Sequence, residues 1–287
     1  MTQHFPLAAI TDEFSPDIET AVRSMAELGM TGAELRMVFG KNIINLTDEE
    51  LERAIGIVKD HGLKIISLAS PLLKCVLPDS PEVDARFQQD MFAAKLTIDD
   101  QPRLAARAFA IARRTGAGVI RVFSYWRTVE PEKCFDRIVA ALGELAEQGA
   151  REGVVIGLEN EHACNIATGA ETARVMQAIR HPNLKVVWDP ANARVAGEMR
   201  PYPDGYELLP KGSIVHVHAK DCRVEGHQAI WVQIGEGEID WKGQVQALVD
   251  DGYQGYISLE THWPGPGGDK HLASMICGRT LKSLVTA

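Results

Sequence analysis

The feature that most constrains this chain is an alternation of eight short apolar runs with longer amphipathic stretches. The short runs, rich in β-branched residues, are Leu7–Ile10, Gly32–Leu35, Lys64–Leu68, Val119–Phe123, Val154–Glu159, Lys185–Asp189, Ile214–His218 and Tyr256–Glu260. Helical patterns cover Pro16–Leu28, Thr47–His61, Pro102–Thr115, Pro131–Glu152, Gly169–Ile179, Trp241–Asp250 and Lys270–Leu284. Their starts carry caps: Ser15 before Pro16, and Thr47 three residues before Glu50, the spacing of a capping box. Strict β/α alternation implies a parallel sheet covered by helices. Eight such strands in 287 residues predict an α/β fold, a single (β/α)8 TIM barrel over residues 1–287. The rival is an open doubly wound sheet. It usually carries a phosphate loop after its first strand, and neither G-x-G-x-x-G nor G-x-x-x-x-G-K-[ST] occurs here. Two long connections, Ser70–Asp100 and Cys222–Asp240, read as irregular functional loops.

Composition narrows the function classes. A chain that is 45% hydrophobic and 24% charged is neither disordered nor collagen-like. With 30 Lys+Arg against 39 Asp+Glu the net charge is −9, which argues against a nucleic-acid partner. The cysteines, Cys75, Cys134, Cys164, Cys222 and Cys277, are odd in number and widely spread. They read as reduced thiols of a cytoplasmic protein, not as a disulfide framework or zinc ribbon. The N-terminus has no secretory pattern, and the longest apolar stretch, Ile65–Leu73, is about half of what spans a bilayer. No membrane association is expected.

Four late strands share one pattern. Ile156 and Leu158 oppose Gly157 and Glu159; Val186 and Trp188 oppose Val187 and Asp189. Val215 and Val217 oppose His216 and His218; Ile257 and Leu259 oppose Ser258 and Glu260. Side chains alternate faces along a strand. Each strand can therefore turn large apolar groups to the helices and direct Glu159, Asp189, His218 and Glu260 to the barrel axis. All four fall at strand C-terminal ends, the face where barrel active sites lie. Three carboxylates and an imidazole converging on one axis repel one another unless a cation joins them. The set suits one divalent metal: Mn²⁺ first, with Mg²⁺, Co²⁺ or Zn²⁺ as alternatives. Singly, a strand-end Glu is a surface group and a buried His a core residue; it is the four in phase that point to a metal site.

At these residues the sequence resembles the sugar phosphate isomerase/epimerase family, within the xylose-isomerase-like TIM-barrel superfamily. The matching segments are Gly157-Leu158-Glu159-Asn160-Glu161-His162, Trp188-Asp189-Pro190-Ala191-Asn192, His216-Val217-His218-Ala219-Lys220-Asp221 and Ser258-Leu259-Glu260-Thr261-His262. The resemblance implies that Glu159, Asp189, His218 and Glu260 bind one catalytic divalent metal, and that Glu159 and Glu260 also move protons. It departs from ketohexose epimerases at Asn165 and Arg194, where those enzymes have Glu and His, and from endonuclease IV at Asn192, where that enzyme has a metal-binding His. True xylose isomerase has a second metal site and a different last-strand pattern.

Secondary candidates divide between substrate contact and plainer roles. Glu34 and Arg36 end the second strand and reach for substrate hydroxyls. His162 and His262 are substrate contacts or solvated loop residues, and Glu161 joins His162. Lys220 and Arg223 follow the His ligand and hold a carboxylate or phosphate, or lie at the surface. His216 is read as a core residue, Arg121 as an ion-pair partner, and Trp126 and Trp263 as rim aromatics. The expected activity is a metal-dependent isomerase or epimerase of a small sugar, keto-sugar or polyol derivative, by proton transfer through an enediolate. The alternatives are a lyase on the same site, acting as a dehydratase or deglycosidase of a keto-sugar, and a non-catalytic partner subunit. The resemblance also allows a homo-oligomer.

Overall fold

The computed structural model describes residues 5–87, 95–226 and 228–286. The eight strands are β1 (Leu7–Ile10), β2 (Gly32–Leu35), β3 (Lys64–Leu68), β4 (Val119–Val122), β5 (Val155–Glu159), β6 (Leu184–Trp188), β7 (Ile214–Ala219) and β8 (Tyr256–Leu259). They close a barrel in which each strand pairs in parallel with its sequence neighbours and β8 pairs with β1. The covering helices are α1 (Ile18–Glu27), α2 (Asp48–Asp60), α3 (Gln101–Thr115), α4 (Phe135–Glu152), α5 (Gly169–Ile179), α6 (Pro190–Val195), α7 (Trp241–Asp250) and α8 (Lys270–Val285). The predicted (β/α)8 barrel is the observed fold.

Local chemistry sets the helix boundaries. At α2, Thr47 Oγ1 accepts the Glu50 N–H at 3.2 Å and Glu50 Oε2 accepts the Thr47 N–H at 2.8 Å, the expected capping box. At α1 the cap is Asp17, not Ser15. Asp17 Oδ2 accepts from Thr20 N at 3.0 Å, while Ser15 Oγ accepts the Asp17 N–H at 3.1 Å. The Ser15 hydroxyl thus lies two residues too early to cap the helix. Gly116 and Gly153 end α3 and α4 in the left-handed region, at φ +75° and +69°, where a Cβ would be strained.

The strand faces divide as alternation requires. Ile156, Leu158, Val186 and Trp188 are fully buried among the residues of the main core. Gly157 faces inward: a Cβ there would lie 2.7 Å from Val187 Cγ2 and 3.0 Å from Val119 Cγ1.

Two connections differ from expectation. The sequence reading has no helix after β6, yet α6 forms because Pro190 opens it and the Asp189 side chain caps it. Cys222–Asp240, read as irregular, contains most of an antiparallel hairpin, Asp221–Glu225 with Gln228–Val232. Within the two long connections, residues 88–94 and 227 lie outside the described residues. Among the described residues no helix is long and apolar enough to cross a membrane.

Candidate functional site

Glu159 is the last residue of β5, His218 lies near the end of β7, and Asp189 and Glu260 follow β6 and β8 directly. One ligand atom from each of these four buried residues falls within 4.8 Å of the others. His218 Nδ1 is 3.1 Å from Glu159 Oε1 and 3.5 Å from Glu260 Oε2. Asp189 Oδ1 caps α6 by accepting the Asn192 N–H at 2.9 Å. That bond fixes the carboxylate and leaves Oδ2 buried without an aligned hydrogen bond, although Lys220 Nζ is 2.9 Å away.

Three cations hold these charges together. Lys220, with 1% of its side chain exposed, also lies 2.9 Å from Glu260 Oε2. Arg36 Nη1 donates to Glu260 Oε1 at 2.9 Å, Nε donates to Asp12 Oδ2 at 3.0 Å and Nη2 donates to Glu13 Oε1 at 2.5 Å. Arg121 Nη1 donates to Glu159 Oε2 at 2.6 Å. Burial pushes Glu260 upward, but Lys220 and His262 more than offset it and hold its carboxyl well below the ordinary range. Burial also opposes the charge of Glu159, and there Arg121 and His218 win, so its pKa is lowered. Asp189 goes the other way: burial outweighs the pull of Lys220 and raises it.

The residues present fit a divalent cation. Three hard carboxylates and one borderline imidazole make a donor set of the kind that Mn²⁺, Mg²⁺ or Zn²⁺ accepts. Asp189 Oδ2, buried and ion-paired with Lys220 but without a hydrogen bond, supplies a lone pair for such a cation.

Above the cluster opens a cavity of about 340 Å³, with Arg36, Lys74, His162, Lys220, Glu260 and His262 in its wall. His162 Nδ1 lies 2.9 Å from both Glu161 Oε1 and Asn192 Oδ1. His262 stacks on Trp231 at 5.1 Å between centroids, and its φ of +49° is unusual for a residue with a Cβ. Arg36, His162, Lys220 and His262, predicted as substrate contacts, thus all reach the cavity.

Two predicted contacts do not. Glu34 is fully buried, bonded to Ser67, His216, His218 and Ser258, and has no exposure to the cavity. Arg223 projects from the hairpin and donates twice to the Glu236 carbonyl, at 3.0 and 2.7 Å. Trp126 and Trp263 stand outside the lining, where Phe123 and Trp231 stand instead. Lys74 also escaped the sequence reading; its Nζ sits 4.6 Å over the Phe123 ring and 3.9 Å from Glu161 Oε2. A lysine in a long loop leaves no periodic signal.

Fold and site together define a class: a parallel (β/α)8 barrel with a carboxylate–imidazole centre at the C-terminal ends of β5 to β8. The chain belongs to the xylose isomerase-like TIM barrel family, whose model matches residues 22–278. It is 23% identical over 263 residues to the inosose dehydratase of Geobacillus thermodenitrificans, covering 84% of this chain and 81% of that one. An uncharacterised protein of Methanocaldococcus jannaschii is 29% identical over 128 residues; the match covers 44% of this chain and spans 43% of that relative's length. Among solved structures, the IOLI protein with a bound zinc atom superposes with a TM-score of 0.78 at 15% identity, covering 98% of each chain. The D-allulose 3-epimerase of a Methylomonas species in complex with D-allulose gives 0.69 at 16% identity, covering 98% of this chain and 96% of that one.

Proposed function

We propose that this chain is a divalent-metal-dependent isomerase or epimerase of a small polyhydroxylated ketone, a keto-sugar or polyol derivative, and that it works in the cytoplasm. The observation that carries the reading is the convergence of Glu159, Asp189, His218 and Glu260 within 4.8 Å beneath an open cavity. These four residues would hold the metal, with Mn²⁺ first among the candidates. When bound, the cation supplies Lewis-acid stabilisation of negative charge developing on a ketone oxygen and its neighbouring hydroxyl.

The chain's own residues do the rest. Glu260 is the one of the two glutamates in the cavity wall. It takes the proton from the carbon between carbonyl and hydroxyl, giving an enediolate of the substrate. Glu159 is the partner that returns a proton in epimerisation. Arg36 and Lys220 hold the Glu260 carboxylate in place from two sides. His162 and His262 are positioned for substrate hydroxyls. Five buried cysteines without disulfides support a reducing compartment.

A second reading, a dehydratase on the same site, has its own support. His162, held by Glu161, stands in the wall as a donor for a departing hydroxyl. The match to an inosose dehydratase over 84% of the chain favours the same outcome.

The test is a panel of keto-sugars and inososes in ²H₂O with Mn²⁺ present. Incorporation of deuterium without loss of water supports the isomerase or epimerase; loss of water supports the dehydratase. Glu260→Gln should lower turnover by at least about 10²-fold, the usual worth of a positioned general base. Metal content would be measured alongside, and near-wild-type turnover in this variant would sink the assignment.

A further inference from the structure

Glu34 is the one buried carboxylate beneath the cluster that no proton-transfer role absorbs. It lies on β2, two strands away from β8 and across the barrel from β7's other partner β6. Its Oε2 is 3.0 Å from Nε2 of His216 and 3.0 Å from Nε2 of His218, and it accepts the Ser258 hydroxyl at 3.0 Å. Its Oε1 accepts the Ser67 hydroxyl, also at 3.0 Å. Two serines from β3 and β8 thus fix the plane of the carboxylate, and both imidazoles are aimed at one of its oxygens.

The consequence for His218 follows from imidazole chemistry. A neutral imidazole has one N–H and one lone pair. A carboxylate accepts and does not donate, so the nitrogen facing Glu34 must be the N–H. Nδ1 faces carboxylates as well, Glu159 at 3.1 Å and Glu260 at 3.5 Å, so without a metal it too must carry an N–H; a cation held among those carboxylates would take the place of that proton and leave the remaining N–H on Nε2, against Glu34. The ring of His216 stands edge-on to that of His218, with centroids 5.3 Å apart and planes at 85°. A carboxylate behind a ligating imidazole fixes its tautomer and raises its basicity.

We propose that Glu34 is a positioning residue: it holds His218 in the Nε2–H form and so presents Nδ1 to a divalent cation held by Glu159, Asp189 and Glu260. The inference rests on the metal reading above. It gives the chain's second-strand glutamate a role in metal binding without contact to metal or substrate.

The test uses the whole chain and Zn²⁺ alone, measured by calorimetry on wild type, Asp189→Asn, Glu34→Gln and Glu34→Leu, with ¹⁵N-histidine spectra of each zinc-loaded protein. His218 is assigned from the signal missing in His218→Ala. Wild type is expected to bind about one ion with His218 Nε2 protonated. Removing such a partner typically costs about 10–100-fold in metal affinity. Glu34→Gln, which keeps an acceptor but not the charge, should sit at the weaker end of that loss. Glu34→Leu should sit at the stronger end, with the Nε2–H signal shifted by the loss of its carboxylate acceptor. Should Glu34→Leu fail to fold, Glu34→Gln and the wild-type spectrum decide. Wild-type affinity in both Glu34 variants, or a wild-type His218 with Nε2 unprotonated, overturns the positioning role alone. If wild type binds Zn²⁺ no better than Asp189→Asn, the metal reading itself falls and takes this inference with it.

Discussion

Lys220 Nζ lies 2.9 Å from Glu260 Oε2 and 2.9 Å from Asp189 Oδ2, with 1% of its side chain exposed. A buried ammonium bridging two of the four clustered carboxyl and imidazole groups does electrostatically what a bound cation would do. The two neutralising agents therefore compete. Removing one partner of a buried ion pair typically costs about 3–5 kcal/mol. Lys220→Met should accordingly lower the melting temperature of chelator-treated protein by many degrees. Added Mn²⁺ should recover more of that loss than it adds to wild type. Equal metal-induced shifts in the two proteins, read by thermal denaturation, would show that Lys220 and the metal act independently.

Much of the cluster was legible because alternation along a strand is periodic and short. Glu159, Asp189, His218 and Glu260 share inward parity on their own strands, and parity does not depend on any other part of the chain. Depth along the barrel axis is different, because it depends on how strands are staggered against each other. Ser258 is in register with His218, so Glu260 stands one pleat above it, and no feature of either sequence segment announces this. The same limit explains Glu34. It was placed correctly on β2 but assigned to the cavity, whereas the stagger puts it level with Ser67 and beneath His218. Lys74 and Trp231 come from the long connections, where only the folded chain brings them over the strand ends.

Two arginines read from the sequence as substrate contacts should behave differently. Arg36 has 11% of its side chain exposed and joins Asp12, Glu13 and Glu260. Burial pushes Glu13 up, but Arg36 outweighs it and the net pKa is lowered from 4.5. A depressed carboxyl contributes stability that is present above its unfolded pKa and lost as the pH falls through the folded value. Arg36→Met should thus destabilise the protein at pH 7 by a few kcal/mol, as expected for a broken buried pair. Its stability should also fall less steeply than that of wild type as the pH drops below about 4.5. Arg223→Ala, whose exposed guanidinium donates to the Glu236 carbonyl, should stay within about 0.5 kcal/mol of wild type and keep kcat/KM. Chemical denaturation at several pH values separates the two.

Gly157 tests whether the barrel interior positions the cluster. An added Cβ would approach Val187 Cγ2 to 2.7 Å and Val119 Cγ1 to 3.0 Å, both on neighbouring strands. Overpacking of this kind costs about 1–3 kcal/mol. Gly157→Ala should lower the melting temperature by several degrees. Because Glu159 lies two residues further along the same face of β5, Mn²⁺ affinity should fall as well. A stability loss with unchanged affinity would mean that β5 relaxes below the cluster without moving its end.

The thiols give a prediction independent of the site. Cys75, Cys134, Cys164, Cys222 and Cys277 are all buried and unpaired. Burial pushes Cys75 up to about 11 and Cys222 up to about 12, with nearby Asp100 and Asp221 adding to the shift. The thiolate is the reactive form, so at pH 8 both groups are almost wholly inert thiols. Native protein should therefore react with an aromatic disulfide reagent far more slowly than free cysteine, and all five thiols should titrate on unfolding in guanidinium. Mass spectrometry of partly reacted native protein identifies any exception. A cysteine modified within seconds under native conditions would mark a segment that opens far more readily than its burial implies.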